Sequence, residues 1–258
     1  MKNILISIRD LQIGGIEKSA ITLTNYLIEN GYNITLVLEE IKGELLNQIN
    51  PNINIIKYKP CTKKIIGKFV NGFKRLKFIK DYKNKFDVSI SYATYSKVSS
   101  FVTRQASINS ILWCHADYLE LFEKDTKKLE DFFDEIYYDK FSKIVFVSKS
   151  ARQSFLKVFP KQKNTYYCNN LIDCNKIYIK AAERADIEYN QDITTFLNVG
   201  RHDEKQKKLT RIIEAAKILK KEKYKFRVIF VGSGQDTEKY KDLVKKYKLE
   251  KYIIFTRN

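Results

Sequence analysis

The residues best placed to do chemistry are Gly200, Arg201 and Lys207. Residues 194–199 read as a strand; Gly200 closes it, Arg201 follows, and Lys205, Lys207 and Lys208 come just before a helix-period stretch. A guanidinium grips two phosphate oxygens as a fork and a lysine adds a compact charge, so this set suits a diphosphate. Lys207 is expected where the next helix begins, so that both cations converge at a helix N-terminus. A solvated charged loop, with Lys205 and Lys208 as equal rivals, fits the same residues. Gly232-Ser233-Gly234 closes another apolar run and either lines a nucleotide pocket or simply turns the chain. Near the start, Gly14-Gly15-Ile16-Glu17-Lys18 lies between a short strand and a helix. Glycines there let backbone approach a phosphate, and a helix N-terminus offers N–H groups and a positive dipole end. A plain turn needing positive φ accounts for the pair as well. The spacing is not G-x-G-x-x-G, so the dinucleotide fingerprint is excluded.

His115, in Leu112-Trp113-Cys114-His115-Ala116-Asp117, sits at a strand end. It can serve there as donor or acid/base, or as a structural histidine bonded to a carbonyl. His202 is expected to be an exposed loop residue. No D-x-D is present, so a metal-clamped diphosphate has no support, and neither metal nor cofactor is expected.

The elements that must hold these residues alternate. Strands are expected at residues 4–8, 33–38, 53–56, 86–91, 110–113 and 144–148, with helices between them, one of them over 124–138. Strand, helix, strand requires a crossover, so neighbouring strands should be parallel. Residues 169–173 read as a turn and the polar stretch through Asp192 as a linker. Beyond it come a strand at 194–199, a helix at 209–220, a strand at 227–231, a helix at 238–247 and a strand at 252–255. The expected fold is α/β with two Rossmann-like domains: 1–175, and the first part of a second at 193–258. Two such domains would face each other across a cleft.

The chain has 258 residues, 44% of them hydrophobic, and a net charge of +18. That balance favours polyanions such as nucleic acid, anionic membrane or phosphorylated substrates, unless it reflects only solvated lysines. No helix-turn-helix, zinc-finger or RNP pattern accompanies it, so nucleic acid is not an expected partner. The charge concentrates in residues 57–86, with ten lysines and one arginine against Asp81, while Ile65, Ile66, Phe69, Phe73, Leu76 and Ile79 recur at helical spacing. A basic amphipathic helix is a membrane-surface signature, which makes 57–85 a candidate contact with an anionic membrane. A crossover helix with its apolar face on the sheet fits equally. Cys61, Cys114, Cys168 and Cys174 form no C-x-x-C, and scattered thiols suit a reducing cytoplasm. No run approaches the ~18 apolar residues of a membrane span.

Together these segments resemble the retaining glycosyltransferases of family 4, also called group 1, with the two-domain GT-B fold. Gly14-Gly15-Ile16-Glu17-Lys18 is similar to that family's opening loop, the His115 segment to its active-site histidine strand, and Phe146-Val147-Ser148-Lys149-Ser150 to its "V-S" strand end. Asn169-Asn170-Leu171-Ile172-Asp173 resembles its "N-x-I-D" turn, with Leu171 where proline is usual. Val199-Gly200-Arg201, Lys207 and Val231-Gly232-Ser233-Gly234 resemble its donor-phosphate and nucleotide segments. The resemblance implies metal-independent transfer of a sugar, with retention, from a nucleotide-sugar to a lipid-linked or cell-surface glycan acceptor held mainly by the first domain. It casts Gly14, Gly15, Arg201, Lys207 and Gly232 as donor-binding residues and His115 as the catalytic one. Such an enzyme works in the cytoplasm or at the inner face of the membrane. The family's glutamate pair would lie beyond Asn258, so the chain is expected to be truncated within its second domain. The rival expectation is a non-catalytic acceptor- or membrane-binding fragment of such an enzyme.

Overall fold

A computed structural model describes residues 1–183, 190 and 192–256, and the chain divides into two compact units, Met1–Lys180 and Ala181–Asn258. The first unit is built on β1 (Asn3–Ile8), α1 (Gly15–Glu29), β2 (Asn33–Leu38), β3 (Asn54–Lys57), α2 (Lys64–Tyr82), β4 (Val88–Ser91), α3 (Lys97–Ala106) and β5 (Ser110–Cys114). It continues with α4 (Tyr118–Leu121), α5 (Thr126–Glu135), β6 (Lys143–Phe146), α6 (Lys149–Val158), β7 (Thr165–Tyr167) and α7 (Cys174–Ala181). Seven strands form one sheet in the order β3-β2-β1-β4-β5-β6-β7, every neighbouring pair parallel.

β1 and β2 are almost wholly apolar because helices cover both faces of the sheet. Ile4, Ile6, Ile8, Leu36 and Leu38 pack with Ala20 and Ile21 of α1. The alternating Leu5 and Val37 point the other way, to Phe78 of α2 and Val102 and Ala106 of α3. Serines let α3 come close: the Ser99 hydroxyl donates to the Ser7 carbonyl (3.0 Å), and that of Ser89 donates to Thr103 (2.7 Å). Under β5 and β6 the core is aromatic, with Phe133 edge-on to Tyr118, Phe132, Tyr138, Phe155 and Phe159.

The second unit holds β8 (Thr194–Val199), α8 (Glu204–Lys207), α9 (Thr210–Lys221), β9 (Phe226–Val231), α10 (Thr237–Lys246) and β10 (Ile253–Thr256). Its sheet is parallel, in the order β10-β9-β8. Ile213 and Ala216 of α9, Tyr240 and Val244 of α10, and Val228 and Phe230 of β9 make its core.

The α/β class with parallel sheets is therefore as expected, and four details differ. The helix expected over 124–138 is α5 alone, since Lys124 and Tyr137 take left-handed φ values of 65° and 55° and close it at both ends. The stretch taken as turn and linker contains α7. β7, only three residues long, is too short to show a period, and α8 is a single turn that periodicity cannot register. Among the described residues no helix is long and apolar enough to cross a membrane.

Candidate active site

In the first unit, Gly14, Gly15 and His115 lie past the carboxyl ends of β1 and β5, where ligands of open α/β sheets bind. Gly14 is the N-cap of α1 with extended backbone (φ −163°), so the pair is not there to supply a positive φ. Gly14 has no side chain with which to cap α1, whereas Ser96, Asp117, Asp125 and Ser148 cap α3 to α6. Nothing lies within 4 Å of where a Gly15 Cβ would be. The first turn of α1 thus has open space beside Gly15, while the Glu17 carboxylate turns back over Gly14, an arrangement that suits a hydroxyl-rich ligand better than an anion.

His115 packs its ring against Tyr92 (centroids 4.3 Å apart) and nearly parallel to Trp113 (11°). The carbonyl bond of a structural histidine is missing: both ring nitrogens are buried without a partner among the described residues, as is Nε1 of Trp113. Burial pushes the His115 pKa down to about 4, so the ring is neutral at pH 7, with one donor and one acceptor nitrogen. Buried polar atoms without partners are uncommon, and a ligand is one way to satisfy them. Tyr92, which sequence reasoning passed over, joins the two parts: its hydroxyl meets Ser19 of α1 at 2.7 Å while its ring touches His115. Its pKa is pushed up to about 12, chiefly by burial, so it remains a phenol.

In the second unit the loops after β8 and β9 are laced together. Gly200 N–H donates to Val231 O (3.0 Å), His202 N–H to Ser233 O (3.0 Å) and Asp236 N–H to His202 O (3.2 Å). Gly232 has φ +130°, and a Cβ there would fall on the carbonyl oxygen of Gly200. Only glycine fits this crossing. Arg201 leaves it exposed, and the Lys207 stem leans back until its Cε is 4.0 Å from the place of a Gly200 Cβ. Neither cation has an ion-pair partner among the described residues.

Two expectations need correction here. Lys207 does not begin a helix: it ends α8, its N–H bonded to Asp203 O (2.7 Å), and Lys208 turns the chain left-handed before α9. The cations therefore do not converge at a helix N-terminus. His202 is not exposed but 0% accessible, with Nδ1 on the Thr237 hydroxyl (2.9 Å) and its ring among Phe230, Tyr240 and Phe255. Burial, then Lys241, lowers its pKa. Arg201 faces out while its neighbour His202 fills the core.

Family profiles cover nearly the whole chain: "Glycosyltransferase Family 4" matches residues 13–176 and "Glycosyl transferases group 1" residues 179–258. The chain belongs to glycosyltransferase family 4. Solved structures agree with this on the fold. HepE (Alr3699) of Anabaena, determined with UDP-glucose, superposes with a TM-score of 0.69 at 13% identity, covering 100% of this chain and 69% of that one. TarM of S. aureus, a mutant determined with fondaparinux, α-GlcNAc-glycerol and UDP, gives 0.70 at 12% identity, covering 100% and 77%. WaaG, a glycosyltransferase involved in lipopolysaccharide biosynthesis, gives 0.60 at 11%, covering 99% and 70%. No curated protein matches. This family 4 chain is thus a glycosyltransferase of the GT-B-like α/β class.

Proposed function

We propose that the enzyme moves a sugar, with retention of anomeric configuration and without a divalent metal or other cofactor, from a nucleotide-sugar to a lipid-linked or growing cell-surface glycan, in the cytoplasm at the inner face of a membrane. The carrying observation is the pair of cations without ion-pair partners at the end of β8, Arg201 beside Gly200 and Lys207 folded over it. Similar folds have been determined with UDP or UDP-glucose, which supports a uridine diphosphate donor. As the glycosidic bond to the donor breaks, negative charge gathers on the leaving diphosphate. Arg201 and Lys207, held ready, stabilise that charge and take the place of a metal. Gly232 keeps the nucleotide side of the loop close to Gly200. In the first unit, the start of α1 at Gly14 and Gly15 and the neutral ring of His115 hold sugar hydroxyls. An imidazole with its pKa near 4 orients a hydroxyl by hydrogen bonding and does not act as a charged acid.

Calorimetric titration of UDP into the protein tests the reading. Charge-assisted hydrogen bonds contribute about 1.5–3 kcal/mol each, so Arg201→Ala and Lys207→Ala should each weaken binding roughly 10- to 150-fold. Equal losses in Lys205→Ala and Lys208→Ala would mean a diffuse basic loop and not a clamp.

A further inference from the structure

The helix α2 is apolar on two opposite sides. Its inner side is anchored: Phe78 is 3% exposed in the core with Leu5 and Val102, and Asn71 bonds both backbone groups of Cys61 (2.7 and 2.9 Å). Gly67 lies 3.0 Å, by its would-be Cβ, from the Cys61 carbonyl. The other apolar side points to solvent, with Ile65 78%, Ile66 60%, Phe69 72%, Phe73 75% and Leu76 66% exposed. At about 100° per residue these five fall in a stripe roughly 100° wide, centred nearly opposite Phe78. Of the six apolar residues whose spacing marked this helix, these five are exposed and Ile79 is half-buried, while the residue that enters the core, Phe78, was not among them. The inner anchors prevent the helix from rotating to bury the five.

Charge distinguishes the possible occupants. Lys68 and Lys77 border the stripe on its two sides, and Lys80 extends it at the C-terminal end. Asp81, the only acid of the helix, lies beyond Lys77, as far from that edge of the stripe as Lys68 is from the other, so lysines outnumber it three to one around the stripe. A second copy docking by this side would bring like charges together, whereas an anionic surface is complementary to them. Arg75 and Lys74 are engaged elsewhere, over the Phe101 ring (5.4 Å) and on the Lys59 carbonyl (2.7 Å). A helix with an aromatic apolar face framed by lysines, and too charged to span a bilayer, lies in the lipid interface.

We propose that the outer side of α2 docks this enzyme on an anionic lipid bilayer, with Ile65, Ile66, Phe69, Phe73 and Leu76 among the acyl-chain boundary and Lys68, Lys77 and Lys80 at the headgroups. This deepens the membrane-face reading of the enzyme and does not depend on its donor. Sedimentation of the full chain with phosphatidylglycerol vesicles and with phosphatidylcholine vesicles tests it. The chain should bind the first and not the second, and binding should weaken as salt shortens the Debye length below about 8 Å. Each lysine near the surface is equivalent to roughly a fivefold factor, so Lys68→Glu/Lys77→Glu/Lys80→Glu should weaken binding about a hundredfold or more. Phe69→Ser/Phe73→Ser should weaken it at least about tenfold while all charges remain. UDP titration of the same variants should be unchanged, which separates loss of docking from failure of the transferase reading. Absence of binding by the unaltered chain, or full binding by the Phe69→Ser/Phe73→Ser variant, would overturn the proposal. So would a self-associating chain, without vesicle binding, that this variant makes monomeric, since it assigns the stripe to a second copy.

Discussion

Replacing Gly232 by alanine tests the crossing on which the proposed donor site rests. The added Cβ would meet a backbone oxygen, that of Gly200, which cannot swing aside as a side chain can. The φ of +130° adds strain of about 1–3 kcal/mol for a residue with a Cβ. Relief requires the two loops to part, which weakens the bonds from His202 to Ser233 and from Asp236 to His202, at about 1 kcal/mol apiece. A loss of about 3 kcal/mol follows, a large fraction of the ~4–12 kcal/mol expected of a unit the size of Ala181–Asn258. Domains of this size lose about 4–8 °C per kcal/mol, so the transition of the second unit should fall by roughly 12–24 °C. Circular-dichroism melts of the full chain measure this, and UDP titration at low temperature reports whether Arg201 has moved. Gly72→Ala is the control: it lies in α2 with nothing within 4 Å, and should gain about 1 kcal/mol from helix propensity. A Gly232→Ala protein that melts within about 3 °C of the parent and binds UDP as before would refute both the strain and the role of the crossing.

Two further perturbations address the first unit. Burial lowers the His115 pKa to about 4 in the folded chain, so between there and the unfolded value near 6.5 the unfolded state binds more protons. Stability should therefore decline as pH falls through that window, by up to about 3 kcal/mol, and urea melts of His115→Gln should show a shallower decline; an unchanged slope would place the titrating group elsewhere. Phe133→Ala should cost about 3–5 kcal/mol, since Phe133 is fully buried among five aromatic rings, whereas Phe69→Ala on the outer side of α2 should stay within about 0.5 kcal/mol; similar costs in thermal melts would contradict the burial pattern described.

The parallel sheets were legible because β1, β2, β8 and β9 are long enough for an apolar run to stand out, and because, β2 and β3 apart, an α-helix separates each strand from the next. β7 and α8 were not, since three or four residues carry no period. In the candidate site, the glycines, Arg201, Lys207 and His115 could be named from strand ends. Their surroundings could not. Tyr92 is tied to Ser19 and His115 only by the pairing of β1 with β4 and of β4 with β5, which no local pattern reveals. His202 was misplaced because a polar neighbourhood suggests solvent, while its depth is set by Thr237, Phe230, Tyr240 and Phe255, which later elements bring around it. The apolar spacing of α2 identified an amphipathic helix correctly but could not say which apolar residues meet the sheet. That depends on where Cys61 and Phe101 come to rest.

Because every pair in the larger sheet is parallel, no strand is completed by the one that follows it directly through a tight turn. β1 shows the effect most clearly. On one side Ile4 meets Ile34 of β2, and on the other it meets Val88 of β4, with β3 and α2 made in between. During synthesis β1 therefore keeps an open, apolar edge while β2 and β3 are laid down on its other side. Closing so long a loop costs chain entropy before any pairing rewards it. β1 is thus enclosed only once β4 has been made, and the carboxyl end that presents Gly14 and Gly15 takes its final setting only after β4, with Tyr92 just beyond it, has arrived.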